Sequence, residues 1–276
     1  MMRLVITTML PTILATMLAC TAPDPDALDT SWTLTWSDEF DGPAGTAPDP
    51  AVWVPDVGGD GWGNNQLEYD SDSLKNASLD GDGHLAITAL KETVGSNAYT
   101  SARLTTRDTF THGIGRYEAD IQLPAGKGLW PAFWLLGTGI DTEGWPICGE
   151  VDIMEYKGED PGTSYATVHG PGYSGAGGIS DGYDLSDGSF ADGFHTFAVD
   201  IDPDHLAFWV DGDRVQTVRK GDLPAGADWV FDGDWFLILN LAVGGNYVQA
   251  PDDSTPFPAT MRVDAVRVYD RTQAVP

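Results

Sequence analysis

An all-β fold, built as a sandwich or jelly roll of two antiparallel sheets, is what this chain of 276 residues predicts, on three observations. Its 33 Gly and 18 Pro stand above average usage and punctuate the chain into short pieces. The acidic residues are 34 Asp against 8 Glu, and Asp disfavours helices while suiting turns. Short apolar or alternating runs recur, each of strand length and each closed by Gly, Asp, Asn or Pro, so any helix is brief. Hydrophobic residues at 42% and charged residues at 20% give enough apolar surface for one large domain and exclude a disordered acidic tail. A formal charge of -28 excludes nucleic acid, whose phosphates demand clustered Lys and Arg. The charge serves solubility or, alternatively, divalent-cation binding or salty surroundings.

Taken from the N-terminus, residues 1–19 read as a secretory signal peptide, with Arg3 ahead of an apolar stretch that ends in Met17-Leu18-Ala19-Cys20. Ala19 before Cys20 resembles the bacterial lipoprotein cleavage box, with Met17 where Leu is usual, so Cys20 is a candidate lipidated N-terminus; ordinary cleavage nearby is the other reading. The mature chain is then exported, either secreted or lipid-anchored on the extracytoplasmic side of a bacterial membrane. The apolar stretch is too short to span a bilayer. Residues 20–31 are Pro- and Asp-rich and read as a tether. With Cys20 lipidated, Cys148 stays reduced, and two cysteines cannot build a metal or redox cluster.

Residues 32–271 form the domain. HLAITAL, GRYEADIQL, FHTFAVDI, WFLILNLAV and MRVDAVRVY are strands, and AFWVDGDRVQTV is a hairpin turning at Asp211-Gly212. GGDGWGN and GPGYSGAGG lack the Lys and the strand-to-helix setting of a phosphate loop and read as loops bordering a cleft. His84, His112, His195 and His205 show no metal-ligand spacing and read as structural. A strongly charged single domain is most simply a monomer.

The chemistry concentrates in Glu150-Val151-Asp152-Ile153-Met154-Glu155-Tyr156. Residues two apart share a face of a strand, so Glu150 and Asp152 point together while Val151 and Ile153 enter the core. Glu155 would fall on the wrong side unless one extra residue, Met154, is taken up in a β-bulge that restores it to the face of the other two. On spacing alone this fits a solvated acidic strand equally well. The tryptophans of Gly128-Leu129-Trp130-Pro131-Ala132-Phe133-Trp134 and of Trp145-Pro146 shift the balance, because indole faces stack on sugar rings and paired carboxylates cut glycosidic bonds. Phe133 is assigned to the core, and Trp130, Trp134 and Trp145 to an exposed cleft.

Motifs along nearly the whole mature chain, WSDEFDG, GNNQLEY, DGHLAITA, YTSARLTT, GIGRYEADIQLPAGKGLWPAFWLLG, WPICGEVDIMEY, ATVHG, FHTFAVDIDPDHLAFWVDG, FLILNLAVGG and VDAVRVYD, resemble glycoside hydrolase family 16, and within it the laminarinase-like endo-β-1,3-glucanases. The resemblance implies a jelly roll whose concave sheet holds a β-glucan. It also implies double displacement, with Glu150 as nucleophile, Asp152 as assisting carboxylate and Glu155 as general acid/base. His169 would bond a sugar hydroxyl or the acid/base, or serve structurally. Asn65 and Arg103 would contact sugars on the nonreducing side, with Arg103 equally suited to orienting acidic groups. No cofactor takes part in catalysis; a structural calcium held near Glu39, Gly83 and Asp264 is implied on the convex side. Agarases and carrageenases share the longer E-x-D-x-x-E spacing, so a mixed-linkage β-glucan or a galactan such as agarose remains an alternative substrate. A β-glucan-recognition protein without activity is the alternative outside enzymes.

Overall fold

The strand periodicity of the sequence becomes sheet pairing in the structure, a computed structural model in which residues 32–272 are described. The signal segment, Cys20 and the tether lie outside the described residues. In chain order the strands are β1 (Trp32–Asp38), β2 (Val54–Pro55), β3 (Glu68–Asp70), β4 (Ala77–Leu79), β5 (Leu85–Ala89), β6 (Tyr99–Ser101), β7 (Arg103–Thr105), β8 (Gly115–Gln122) and β9 (Leu129–Gly137). They continue with β10 (Glu150–Tyr156), β11 (Thr163–His169), β12 (Ile179–Asp184), β13 (His195–Ile201), β14 (His205–Val210), β15 (Asp213–Arg219), β16 (Trp235–Val243) and β17 (Ala259–Arg271). The helical residues among these are three short 3-10 turns, Thr138–Asp141, Gly175–Gly177 and Lys220–Asp222.

One sheet runs β15-β14-β13-β8-β17-β5-β4 with β1 also on β17; the other runs β12-β11-β10-β9-β16-β7-β2; β3 and β6 make a small parallel pair. Pairing of β1 with β17, from Trp32↔Arg271 to Asp38↔Val266, joins the two ends of the domain. The hairpin turns at Asp211 (φ 51°) and Gly212 (φ 84°), the doubly positive backbone of a type I′ turn.

Alternation decides what each strand buries. From β10, Val151, Ile153, Met154 and Tyr156 enter the core between the sheets, where they meet Phe133 and Leu135 of β9 and Phe197 and Val199 of β13. Because the other sheet covers only this inner face, the outer face of β12-β11-β10-β9-β16-β7 is left for a site. Two apolar clusters stand on that outer face, separate from the core: Leu136, Cys148, Phe236 and Ile238 with Trp134, and Trp130, Ala242 and Val248 with Tyr247.

Candidate active site

The bulge in β10 is present, and it brings the three carboxyls to one face. Against β11 the register runs Asp152↔Thr167 and then Glu155↔Tyr165, which leaves two residues, Ile153 and Met154, opposite the single Ala166. Against β9, Met154 keeps a partner in Phe133 and Ile153 is the residue without one, so the extra residue on that side is Ile153 where the sequence had suggested Met154. Both side chains are buried, so the bulge also plants two consecutive apolar anchors under the site.

Successive pairings lay out rows across the sheet. Glu155 lies between Tyr165 and Ala132, continued by Asn240 and Arg103; Asp152 lies between Thr167 and Trp134; Glu150 lies between His169 and Leu136. Of the two outer-face apolar clusters, the one around Leu136 and Ile238 lies beside Glu150 and Asp152 on β9 and β16, and the one around Trp130 falls beyond Glu155. The carboxyls therefore line a trough that crosses the strands, with apolar residues next to Glu150 and Asp152 on β9 and β16 and a second apolar cluster past Glu155.

Each glutamate is met by an indole. Trp145 Nε1 donates to Glu150 Oε2 at 2.9 Å, and Trp130 Nε1 donates to Glu155 Oε1 at 3.1 Å. Thr167 Oγ1, itself 2.9 Å from Ser180 Oγ, donates to Glu155 Oε2 at 3.5 Å. His169 Nε2 stands 3.6 Å from Glu150 Oε1 and 3.3 Å from Asp152 Oδ2. The sequence offered His169 as a partner of a sugar hydroxyl or of the acid/base, or as a structural residue; its ring faces Glu150 and Asp152, because Glu150 and His169 are cross-strand partners.

Two glycines set this geometry. Gly149 has φ 77° immediately before Glu150, and a Cβ there would come 2.8 Å from the Trp235 ring. A Cβ on Gly178 would come 2.6 Å from His169 Nδ1, so a larger residue would push the imidazole off the carboxylates.

Burial raises all three carboxyls. Glu150 goes to about 8, through desolvation first and the charge of Asp152 second. Asp152, 5% exposed, goes to about 8 through burial. Glu155 goes to about 8 through burial and then Asp152. The Glu150 side chain keeps 18% of its surface, so water tempers its shift, and His169 and Trp145 both favour its anion. The set can thus hold one ionised and one protonated glutamate at neutral pH.

The remaining sequence candidates divide. Trp145 is 46% exposed, as a sugar platform requires, and Trp134 is half-buried with Nε1 donating to Asn240 Oδ1 at 2.8 Å. Trp130 departs from expectation: it is 8% exposed, packed against Tyr247 at 5.0 Å between ring centroids, and is a wall and a hydrogen-bond donor rather than an open platform. The Arg103 guanidinium is stacked between Trp62 (4.6 Å) and Trp134 (4.8 Å), with Nε donating to Asp56 Oδ2 at 3.0 Å. Asn65, exposed at φ 56°, donates to Asn246 Oδ1 at 2.9 Å. Trp62, Asp56, Asn240, Thr167 and Tyr247 were not singled out from the sequence; only Trp62 carried a signal, its place in a loop read as bordering the cleft. Cys148 is an unbridged buried thiol that burial raises to about 11.

The segments named for calcium converge. On one side of β17, β1 ends at Asp38↔Val266 and β5 begins at Leu85↔Val263, so Glu39 and Gly83 flank Asp264 in the gap between them. The Glu39 carboxylate is engaged by Arg267, at 2.6 and 3.0 Å, which leaves its backbone oxygen for a cation. Asp264 keeps a half-exposed carboxylate, 3.6 Å from His84 Nε2. Backbone and carboxylate oxygens suit a hard cation, so the donor set fits.

A jelly roll with carboxyls of raised pKa in an indole-lined trough defines a glycoside hydrolase. Residues 61–235 match the model of the glycosyl hydrolases family 16, and the chain belongs to that family. It is 38% identical over 268 residues to a beta-glucanase of Rhodothermus marinus, covering 93% of this chain and 92% of that protein. Among solved structures it is similar to the endo-beta-1,3-glucanase of Pyrococcus furiosus (TM-score 0.85, 43% identity, 89% of this chain and 97% of that one). It is also similar to the laminarinase catalytic domain of Thermotoga maritima (TM-score 0.84, 44% identity, 88% and 99%).

Proposed function

We infer that the chain is an endo-acting glycoside hydrolase that cuts internal β-1,3-glucosidic bonds of laminarin-type β-glucans with retention of configuration. The observation that carries this reading is the bulged strand β10, which puts Glu150 and Glu155 on one face, each under its own indole N–H. Glu150, whose anion is favoured by Trp145 and His169, attacks the anomeric carbon while Glu155 protonates the departing oxygen. Glu155 then takes a proton from the water that releases the product. Asp152, between the two and beside His169, orients the nucleophile and helps to keep one proton in the set.

Proton NMR of laminarin, of mixed-linkage glucan and of agarose, each incubated with protein beginning after Cys20, tests this. Early release of the β-anomer from laminarin is expected. No cleavage of any of the three, with laminarin still bound, would replace the enzyme by a recognition protein, and cleavage of agarose alone would move the substrate to a galactan.

Arg103 reads as the cationic contact for sugar hydroxyls on the nonreducing side, with Asn65 further out. Its flat guanidinium fills the space between two indole faces, which an ammonium cannot do. Arg103→Lys is expected to raise KM for laminarin about tenfold, a loss of ~1.4 kcal/mol, with kcat little changed. Initial-rate kinetics check the split between the two constants.

Calcium would be held by the backbone oxygens of Glu39 and Gly83 with the Asp264 carboxylate, where it ties the chain ends together and takes no part in the reaction. Chelation is expected to lower Tm by several degrees in a melting curve and calcium to restore it. We also propose that the mature chain begins at Cys20 after export and acts as a monomer, secreted or held at the membrane through a lipid on Cys20 alone.

A further inference from the structure

We propose that Glu150, Asp152 and His169 form a site for a borderline transition-metal cation, with Zn2+ the best fit, through which such an ion reversibly switches the enzyme off. Among the described residues this is the place where three His, Cys, Asp or Glu donors converge, all within 4.8 Å of one another. The two separations from His169 Nε2, 3.3 Å to Asp152 Oδ2 and 3.6 Å to Glu150 Oε1, are hydrogen-bond poor but match the edge of a coordination tetrahedron. Ligands about 2.0–2.1 Å from a zinc ion lie about 3.3–3.4 Å from each other. A second observation points into the same spot: Asp152 Oδ2 is buried and has no hydrogen-bond partner. Glu150 is already turned for the role, since Trp145 holds Oε2 and leaves Oε1 facing the imidazole.

One imidazole with two carboxylates selects Zn2+ or Cu2+ over Mg2+ and Ca2+, which prefer all-oxygen shells. The fourth position opens toward the trough, where water completes the shell. Bound there, the cation ties up the oxygen that has to attack the sugar, so inhibition is competitive with laminarin. That last step rests on Glu150 being the nucleophile; the site itself does not.

The experiment titrates chelator-treated full-length protein with ZnCl2 while following laminarin cleavage, and in parallel with CoCl2 while following the visible bands of tetrahedral Co2+. One equivalent is expected to develop the Co2+ bands and to suppress cleavage at least tenfold, with activity restored by a chelator. His169→Gln is expected to weaken metal binding at least tenfold. Asp152→Asn, which keeps the shape of the side chain, should do the same and covers a failure of the first variant to fold. Unchanged metal affinity in the folded variants, or no tetrahedral Co2+ spectrum in the wild type, overturns the site. Co2+ bands without loss of cleavage overturn the nucleophile assignment instead.

A different observation carries a second inference: Lys157 is a specificity-determining contact for the sugar on the leaving side. Two residues beyond Glu155, it stands on the same face, with Nζ 4.3 Å from the Tyr247 ring centroid and 5.0 Å from that of Tyr165. Tyr165 pairs with Glu155 on the side of β10 away from Arg103, beside the group that protonates the leaving oxygen. In a chain of charge -28, no carboxylate among the described residues lies within ion-pair distance of this ammonium. The ammonium is therefore held against two rings with no carboxylate taking up its donors, as recognition of sugar hydroxyls requires.

Lys157→Met is expected to lower kcat/KM for laminarin about tenfold and to leave unchanged the hydrolysis of an aryl β-laminaribioside, which has no sugar on the leaving side. Lys157→Arg should restore most of the laminarin rate. Equal losses on both substrates, or no loss on either, overturn the contact. So does a shift of the alkaline limb of the laminarin pH profile, because Lys157 would then act through Glu155.

Discussion

Glu150→Ala and Glu155→Ala both lose laminarin turnover, yet azide distinguishes them by the configuration of the product it makes. Removing a general acid costs about 10²–10⁴-fold, so Glu155→Ala falls by that much on laminarin. An aryl glycoside with a good leaving group needs no acid, and on it Glu155→Ala still forms the glycosyl-enzyme. Azide then attacks that intermediate from the face water would have used, and the β-glycosyl azide accumulates. Glu150→Ala has no carboxylate to attack the anomeric carbon, so its loss is the larger of the two on either substrate. Azide seated in the space left by Glu150 attacks once, with inversion, and gives the α-glycosyl azide. NMR of the two azides settles the roles: exchanged configurations would exchange Glu150 and Glu155, and no azide product from either variant would remove the double-displacement mechanism.

The carboxyl constellation was legible because a strand has period two, and any odd spacing on one face requires an extra residue. Glu150, Asp152 and Glu155 therefore predicted a bulge. Which of Ile153 and Met154 is unpaired was not legible, since both are apolar and the choice depends on which neighbouring strand is asked. Trp130 was misjudged for a related reason. Its position on β9 fixes the face it points from, but its cover is Tyr247, which reaches it from the loop after β16. Local pattern reports the face of a strand and nothing of what a distant loop lays over it. Trp62 and Asp56 were missed in the same way, because the turn at Gly61 to Asn65 (φ 84° and 56°) and the end of β2 meet Arg103 only after the sheet has formed. Glu68 and Asp70 were hidden among 42 acidic residues, although both are fully buried in the structure.

Those two add to the largest stability effect expected of this chain, a loss of stability as pH rises from mildly acidic to alkaline. Burial raises Glu68, and the charge of Asp70 raises it further; burial raises Asp70 against the pull of Arg103. With Asp152 and Glu155, four carboxyls hold their protons in the folded state well above the usual carboxylate range, Asp70 to about 7 and the other three to about 8. In the unfolded chain the same groups ionise near about pH 4. Between those limits the folded state binds more protons, so stability is complete below the unfolded values and declines as pH climbs through the window. Surface carboxylates act in the opposite sense: Arg267 holds Glu39 low, and such a group stabilises above its unfolded value and loses that contribution as acid is added. Exposed pairs are weak beside desolvated charges, so the buried set decides the slope. Tm is therefore expected to be highest near pH 5 and to fall steadily toward pH 9. Asp152→Asn and Glu155→Gln, which cannot ionise, should melt with the wild type at pH 4 and at least about 3 °C above it at pH 8.5, the shift that ~1 kcal/mol produces in a domain of this size. Melting curves that stay parallel across the whole range would show that these carboxyls ionise in the folded state as they do in water. The same protons govern turnover, since Glu155 protonates the leaving oxygen only while it keeps its own. The alkaline limb of kcat/KM on laminarin is accordingly expected near pH 8 and is expected to vanish in Glu155→Ala acting on an aryl glycoside. Burial thus serves catalysis at the cost of stability: the desolvation that keeps Glu155 a proton donor at neutral pH is the same desolvation that weakens the fold once the proton leaves.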